Sequence, residues 1–237
     1  VHRMPTFSIV ASHALAPGMS TREQWLAWAQ DDFWLPPALA VTPHIPMMVA
    51  RRMSLGGRLA VEVALELLSR HPVDGAVFAS RHGELDRSLG LLGALAERRS
   101  LSPTDFSQSV HNTAAGLTSI QGKQPIPMSS LAAGTGSVAA ALQEAMGMLA
   151  DGMKRVLVVS FEGAIPAFSQ PWLPDEAPPH AVGLVLTRGT QWQGEVMTTP
   201  SCATGTGDAL ACWRALLTDE SRFSIFDGRR EWLWQRN

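Results

Sequence analysis

Residues 125–163 constrain this chain more than any other stretch, reading PIPMSSLAAGTGSVAAALQEAMGMLADGMKRVLVVSFEG. A run of small residues ends in Gly134-Thr135-Gly136 and leads into apolar helix formers. Gly152 then stands where a left-handed residue closes a helix, and residues 156–161, polar only at Ser160, have the composition of a parallel strand buried on both faces. The pattern predicts a strand, a sharp turn, a helix and a second strand. Only Gln143, Glu144 and Asp151 are strongly polar in the helix, so it is expected to be buried nearly all round, between two layers. At about 16 residues, with charges inside it, it is too short for a membrane span, which needs roughly 20 apolar residues.

The turn carries the chemistry, if there is any. Gly134 and Gly136 allow a tight strand-to-helix reversal, and Thr135 between them falls at a helix N-terminus, where backbone N–H groups point outward. Many acyl-transfer enzymes hold a nucleophile at such an elbow. The same residues equally make a plain tight turn with a capping hydroxyl, and the local sequence leaves both readings open.

Elsewhere helices and strands alternate, which argues for a layered α/β fold. Residues 6–12 read as a first strand. Ser20-Thr21-Arg22-Glu23 has capping-box spacing and opens a helix with Trp25, Leu26 and Trp28. Four prolines in residues 35–46 predict a loop. A helix follows Ser54, with Val61, Ala64, Leu65 and Leu68 at helical spacing. Residues 74–80 form a strand, and residues 84–98 a helix with leucine at 85, 89, 92 and 95. After a Pro-rich crossing over residues 166–179, residues 181–187 form another strand, residues 193–198 an antiparallel edge beside it, and residues 208–217 a last helix behind Gly205 and Gly207. The tail carries Trp232 and Trp234 two residues apart, on one face of a strand, either anchoring an interface or covering the sheet.

With 46% hydrophobic residues, 237 residues suffice for a sizeable core. The net charge of −2 gives no footprint for nucleic acid. Two cysteines form neither a disulfide framework nor a zinc spacing, the seven histidines are scattered, and the N-terminus lacks a signal-peptide pattern. A cytoplasmic location, no metal, no nucleic acid and no membrane partner are the expectations. His111, beside a small-residue loop, reads either as a general base or as a hydrogen-bonded structural residue.

Three segments together resemble a known family. Asn112-Thr113-Ala114-Ala115-Gly116 with Thr118-Ser119-Ile120, residues 129–142, and Asp151-Gly152 through residues 156–159 to Glu162 are similar, in order and spacing, to the N-terminal half of the β-ketoacyl synthases, condensing enzymes of the thiolase fold. The match spans about residues 7–187. The resemblance implies a layered thiolase-like α/β fold, N-terminal half only, over residues 1–190, with a short divergent extension over residues 191–237 packed on the same domain. Counting back from Gly152 puts Thr135 where the family's active-site cysteine belongs, and the only cysteines, Cys202 and Cys212, lie far downstream. A threonine hydroxyl does not replace a thiolate without a base. The family's catalytic histidines belong to a second half that is not found before Asn237.

A fold kept with its nucleophile and base lost resembles the chain-length factors, and among these the short type of bacterial aryl polyene biosynthesis. The resemblance implies no catalysis by the chain alone, no cofactor, and a heterodimer with a full-length β-ketoacyl synthase that works on acyl carrier protein. It also implies a partner interface and acyl tunnel wall drawn from His111, Asn112, Ala115, Gly116, Leu117 and Ile120, and from Met128, Ser129, Ser130, Gly134, Thr135 and Gly136. The alternatives are a free-standing acyltransferase or hydrolase using Thr135 or Ser137 with His111, or a homodimeric acyl-binding protein.

Overall fold

The computed structural model describes residues 2–31, 34, 42–173, 177–197 and 209–237. Most of the proline loop, Thr198, Cys202, Gly205 and Gly207 lie outside the described residues. A long first strand, β1 (His2–Leu15), leads to α1 (Arg22–Asp31), the short α2 (Met47–Ala50) and α3 (Leu55–Arg70). Then come β2 (Gly75–Ala79), α4 (Leu85–Ala96), α5 (Pro103–Ser107), α6 (Thr113–Gly122) and β3 (Met128–Leu131). The elbow opens α7 (Ser137–Ala150), followed by β4 (Arg155–Glu162), β5 (His180–Arg188) and β6 (Trp192–Met197), and the chain closes with α8 (Ala209–Leu217), β7 (Arg222–Phe226) and β8 (Glu231–Arg236). The strands form one sheet in the order β3-β2-β4-β5-β1-β6-β8-β7.

The central strands are apolar at nearly every position because helices cover both faces. Val77, Ala79, Val156 and Val158 point to one core with residues of α1, α7 and α8, whereas Ala76, Phe78, Leu157 and Val159 point to the other with α3 and α6. β4 is parallel to β2 but antiparallel to β5, so its double burial follows from the two helical layers rather than from strand direction. Gly183 is what lets α3 lie on β5: a Cβ there would meet Val63 at 2.5 Å and Leu67 at 2.6 Å. Gly152 has φ +115° and ends α7 as its position predicts.

Two expectations need correction. Residues 192–197 do not edge the sheet beside β5, because β1 intervenes and β6 is itself paired to β8 on its other side. The central helix is not enclosed by two layers: α7 lies on one face of the sheet, and Gln143, Glu144 and Gly147 face outward. The leucine repeat of α4 forms the expected helix, but little of it lies in the core. Only Ala94 is buried, while Leu92 and Leu95 stay 60% and 61% exposed. Polar ties hold this helix instead: Ser54 Oγ donates to Glu84 Oε1 at 2.9 Å, and Arg87 donates to Asp105 and to the Arg52 carbonyl.

The tryptophans knit the first face. Trp25 packs edge-on against Trp28, Trp34 and Trp213 at 5.4–6.0 Å, and its Nε1 donates to the Ala14 carbonyl at 3.1 Å. Trp232 and Trp234 are both buried in that core, so the tail covers the sheet as one of its two readings held. Trp234 lies on Gly194, its directly opposed cross-strand partner, where a Cβ would fall 2.6 Å from the ring.

Candidate functional site

The elbow has the predicted geometry. Gly134 adopts φ +59°, a conformation that suits glycine, and the Gly136 and Ser137 N–H groups donate to the Ala133 and Gly134 carbonyls at 3.1 and 3.2 Å. Gly136 caps α7. Ser137 is buried and fully engaged: its Oγ donates to the Gly134 carbonyl at 2.7 Å and accepts from the Ala133 N–H at 3.0 Å. That hydroxyl braces the turn and is not poised as a nucleophile. Thr135 is half-buried, and among the described residues no hydrogen bond joins it or Ser137 to an imidazole.

His111 is tied elsewhere. Its Nε2 lies 3.0 Å from the Ser80 carbonyl and its ring covers Gly83, where a Cβ would fall 2.9 Å away. It therefore fills the structural role that its sequence context left open beside the catalytic one. Around it the ends of β2 and β4 are joined by Glu162, which accepts from Ser80 Oγ at 3.1 Å and from the backbone N–H groups of Arg81 and His82. Glu84 is buried, and that burial raises its carboxyl above the ordinary value against the opposing pull of Ser54 and Arg87. A Cβ on Gly56 would lie 2.8 Å from the Gly163 backbone, so the start of α3 abuts the end of β4 without a side chain between them. These groups lock a corner of the fold. Among the described residues, no group of three or more His, Cys, Asp or Glu side chains is placed to hold a metal ion, and no helix is long and apolar enough to cross a membrane.

The structure divides the other expected site residues in two. Asn112, Ala115, Gly116, Met128 and Ser130, with Ser119 and Ile126, line an open groove of about 420 Å³ between α6 and β3. Leu117 packs against the α3 core beneath it, and Ile120 projects outward, 68% exposed. Ser129 points to the opposite face, where its Oγ donates to Glu144 of α7 at 3.2 Å. β3 is the terminal strand of the sheet, and all four of its residues are half-buried.

Thr135 and Gly136 belong to a second group, beside the β7–β8 turn, whereas Gly134 is exposed with nothing within 4 Å of where its Cβ would stand. A Cβ on Gly136 would lie 2.9 Å from the Cβ of Asp227, and one on Gly228 would lie 3.5 Å from Thr135 Oγ1. Burial pushes the Asp227 carboxyl up, but donation from Trp232 Nε1 at 2.8 Å and from the Arg229 and Arg230 N–H groups at 2.9 and 2.8 Å outweighs it and holds the group below its ordinary value. Sequence reasoning missed this neighbour, although Asp-Gly between two alternating apolar runs is a hairpin signal.

A three-layered α/β unit with a Gly-Thr-Gly elbow ahead of a buried-face helix, in which no described imidazole bonds the elbow hydroxyls, defines a ketosynthase-like fold. Residues 25–235 match the model of the β-ketoacyl synthase N-terminal domain, and the chain belongs to that family. A chain from the complex of a ketosynthase (ApeO) with its chain length factor (ApeC), from Xenorhabdus doucetiae, superposes with a TM-score of 0.91 at 36% identity, over 98% of this chain and 100% of that one. The ishigamide ketosynthase/chain length factor aligns with a TM-score of 0.60 at 18% identity, over 89% of this chain and 72% of that one. A β-ketoacyl synthase from Burkholderia phymatum aligns with a TM-score of 0.60 at 15% identity, over 92% and 71%. The last two agree in fold. No curated protein sequence matches the chain.

Proposed function

We propose that this chain is a non-catalytic, chain-length-factor-like subunit that pairs with a full-length β-ketoacyl synthase. The observation that carries the reading is Thr135: the fold and elbow of a condensing enzyme are kept, while the nucleophile position holds a hydroxyl with no base bonded to it among the described residues. The similarity over nearly the whole chain to a member of a ketosynthase and chain-length-factor complex supports the same reading.

In this reading residues 1–190 form the ketosynthase-like body and residues 191–237 an extension of its sheet. The partner supplies the cysteine and histidines and elongates an acyl chain, delivered on acyl carrier protein, toward an aryl polyene. This subunit stabilises the partner and shapes its acyl tunnel through the groove between α6 and β3, whose small residues Ala115 and Gly116 leave room for an apolar chain. Met128 and Ser130 direct their backbone N–H and C=O groups away from β2, because Pro127 and Leu131 direct their carbonyls toward it, accepting from the Ala76 and Ser80 N–H groups at 3.0 and 3.3 Å. Those outward groups are free to pair with another strand.

The test is chain elongation by the purified complex, with malonyl and acyl groups on carrier protein. Thr135→Ala is expected to leave the product intact, whereas replacing the partner's cysteine abolishes it. Loss of elongation in Thr135→Ala, with the complex still assembled, would make this chain a catalyst.

A further inference from the structure

The absence of a thiol is not the only thing that separates the elbow from a working site. The turn between β7 and β8 is held rigidly by Asp227, whose carboxylate accepts three hydrogen bonds within the turn, and by the Asp227 N–H donating to the Arg230 carbonyl at 3.1 Å. Its anchor is deep, since Trp232 and Trp234 just beyond it are buried in the core. It also sits tightly on the elbow: there is no room for even a methyl group between Gly136 and Asp227, and a Cβ on Gly228, whose φ is +88°, would just reach contact with the Thr135 hydroxyl at 3.5 Å. A glycine at this point of the turn permits the left-handed conformation.

We propose that the β7–β8 turn is a built-in plug that closes the outer side of this chain's own elbow to acyl groups. Occlusion by the hairpin, in addition to the missing nucleophile, keeps residue 135 out of the chemistry. The proposal concerns this chain alone and goes beyond its pairing with a synthase. It follows that restoring the nucleophile does not restore an accessible site.

The experiment restores a thiol and measures access to it. In a Cys202→Ser, Cys212→Ala background, Thr135→Cys is labelled with iodoacetamide and with a bulky fluorescent maleimide, natively and in denaturant, after the melting curve has shown that the variant folds. The plug predicts native labelling by the maleimide at least tenfold slower than in the unfolded chain, with a smaller deficit for iodoacetamide, because a steric barrier depends on reagent size. Reactivity also depends on the thiolate fraction, and the Asp227 charge would depress it. Asp227→Asn separates the two causes: it removes the charge and keeps an acceptor for the turn, so labelling stays slow under the plug. Asp227→Ala, which releases the turn, is expected to speed it. Native maleimide labelling of Thr135→Cys as fast as in the unfolded chain would overturn the proposal, as would full restoration by Asp227→Asn. Assembly with the synthase, read separately as the mass of the complex, does not depend on either result.

Discussion

At one end of the sheet the β7–β8 hairpin buries Phe223, Ile225, Trp232 and Trp234 in the chain's own core, whereas at the other every residue of β3 stays half-buried beside an exposed Ile120. Both are terminal strands with unpaired backbone on one side, the arrangement that invites association. The hairpin end is finished internally: Trp234 rests on Gly194, contacts Phe7 at 5.2 Å and stacks on Phe223 at 6.2 Å, and α8 packs on β7. The β3 end has four residues, no aromatic anchor and a groove in place of a cover. In the proposed reading, stability is concentrated at one end and recognition at the other.

The largest effect that would break this contrast is at the finished end. Trp234→Ala removes a wholly buried indole from a crowded site and is expected to cost about 3–5 kcal/mol, read from the denaturant midpoint. A loss below about 1 kcal/mol would mean that the hairpin is an appendage. At the open end the expected pattern reverses. Ile120→Asp, on a side chain 68% exposed, is expected to change the stability of the chain by no more than about 0.5 kcal/mol. It should weaken assembly with the synthase by tenfold or more, about 1.4 kcal/mol, in a binding titration. Equal effects on both quantities would contradict the division.

The smallest effect concerns acid. The folded Asp227 carboxyl lies below its ordinary value of 3.8, so the stability it contributes is present above that value and is lost as pH falls through the lower, folded one. The stability difference between the native chain and Asp227→Asn should therefore be flat from pH 7 to about 5 and shrink below pH 4. Because the group is only partly buried the change is small, and it is read from denaturant midpoints at each pH. A difference that grew on acidification would reverse the assignment.

Much of the β3 end was legible from the sequence because its signals are local. The small residues, the two elbow glycines, the apolar helix and Gly152 lie within one continuous stretch, and each corresponds to a feature seen in the fold. Asn112, Ala115, Gly116, Met128 and Ser130, which the resemblance groups as part of an interface and tunnel wall, line the groove between α6 and β3 because they sit on two neighbouring elements. The neighbours of β6 were not legible. Its pairing with β1 joins residues nearly the whole chain apart, as in Phe7 opposite Trp192, and no periodicity records it. The exposed leucines of α4 show the same limit: helical spacing reveals a face without saying what covers it. The turn over Thr135 escaped because its contacts with the elbow are backbone approaches at Gly136 and Gly228, which leave only an Asp-Gly pair as their trace.

The measurement that tests the central claim most directly is the mass of the assembly. This chain, co-expressed with a full-length β-ketoacyl synthase and purified by a tag on this chain alone, is passed over a sizing column with light-scattering detection. The account predicts a one-to-one complex that Ile120→Asp disrupts while the variant chain keeps its own melting temperature. A monomer or homodimer that elutes without the synthase, under conditions in which the synthase itself is folded and active, would contradict it.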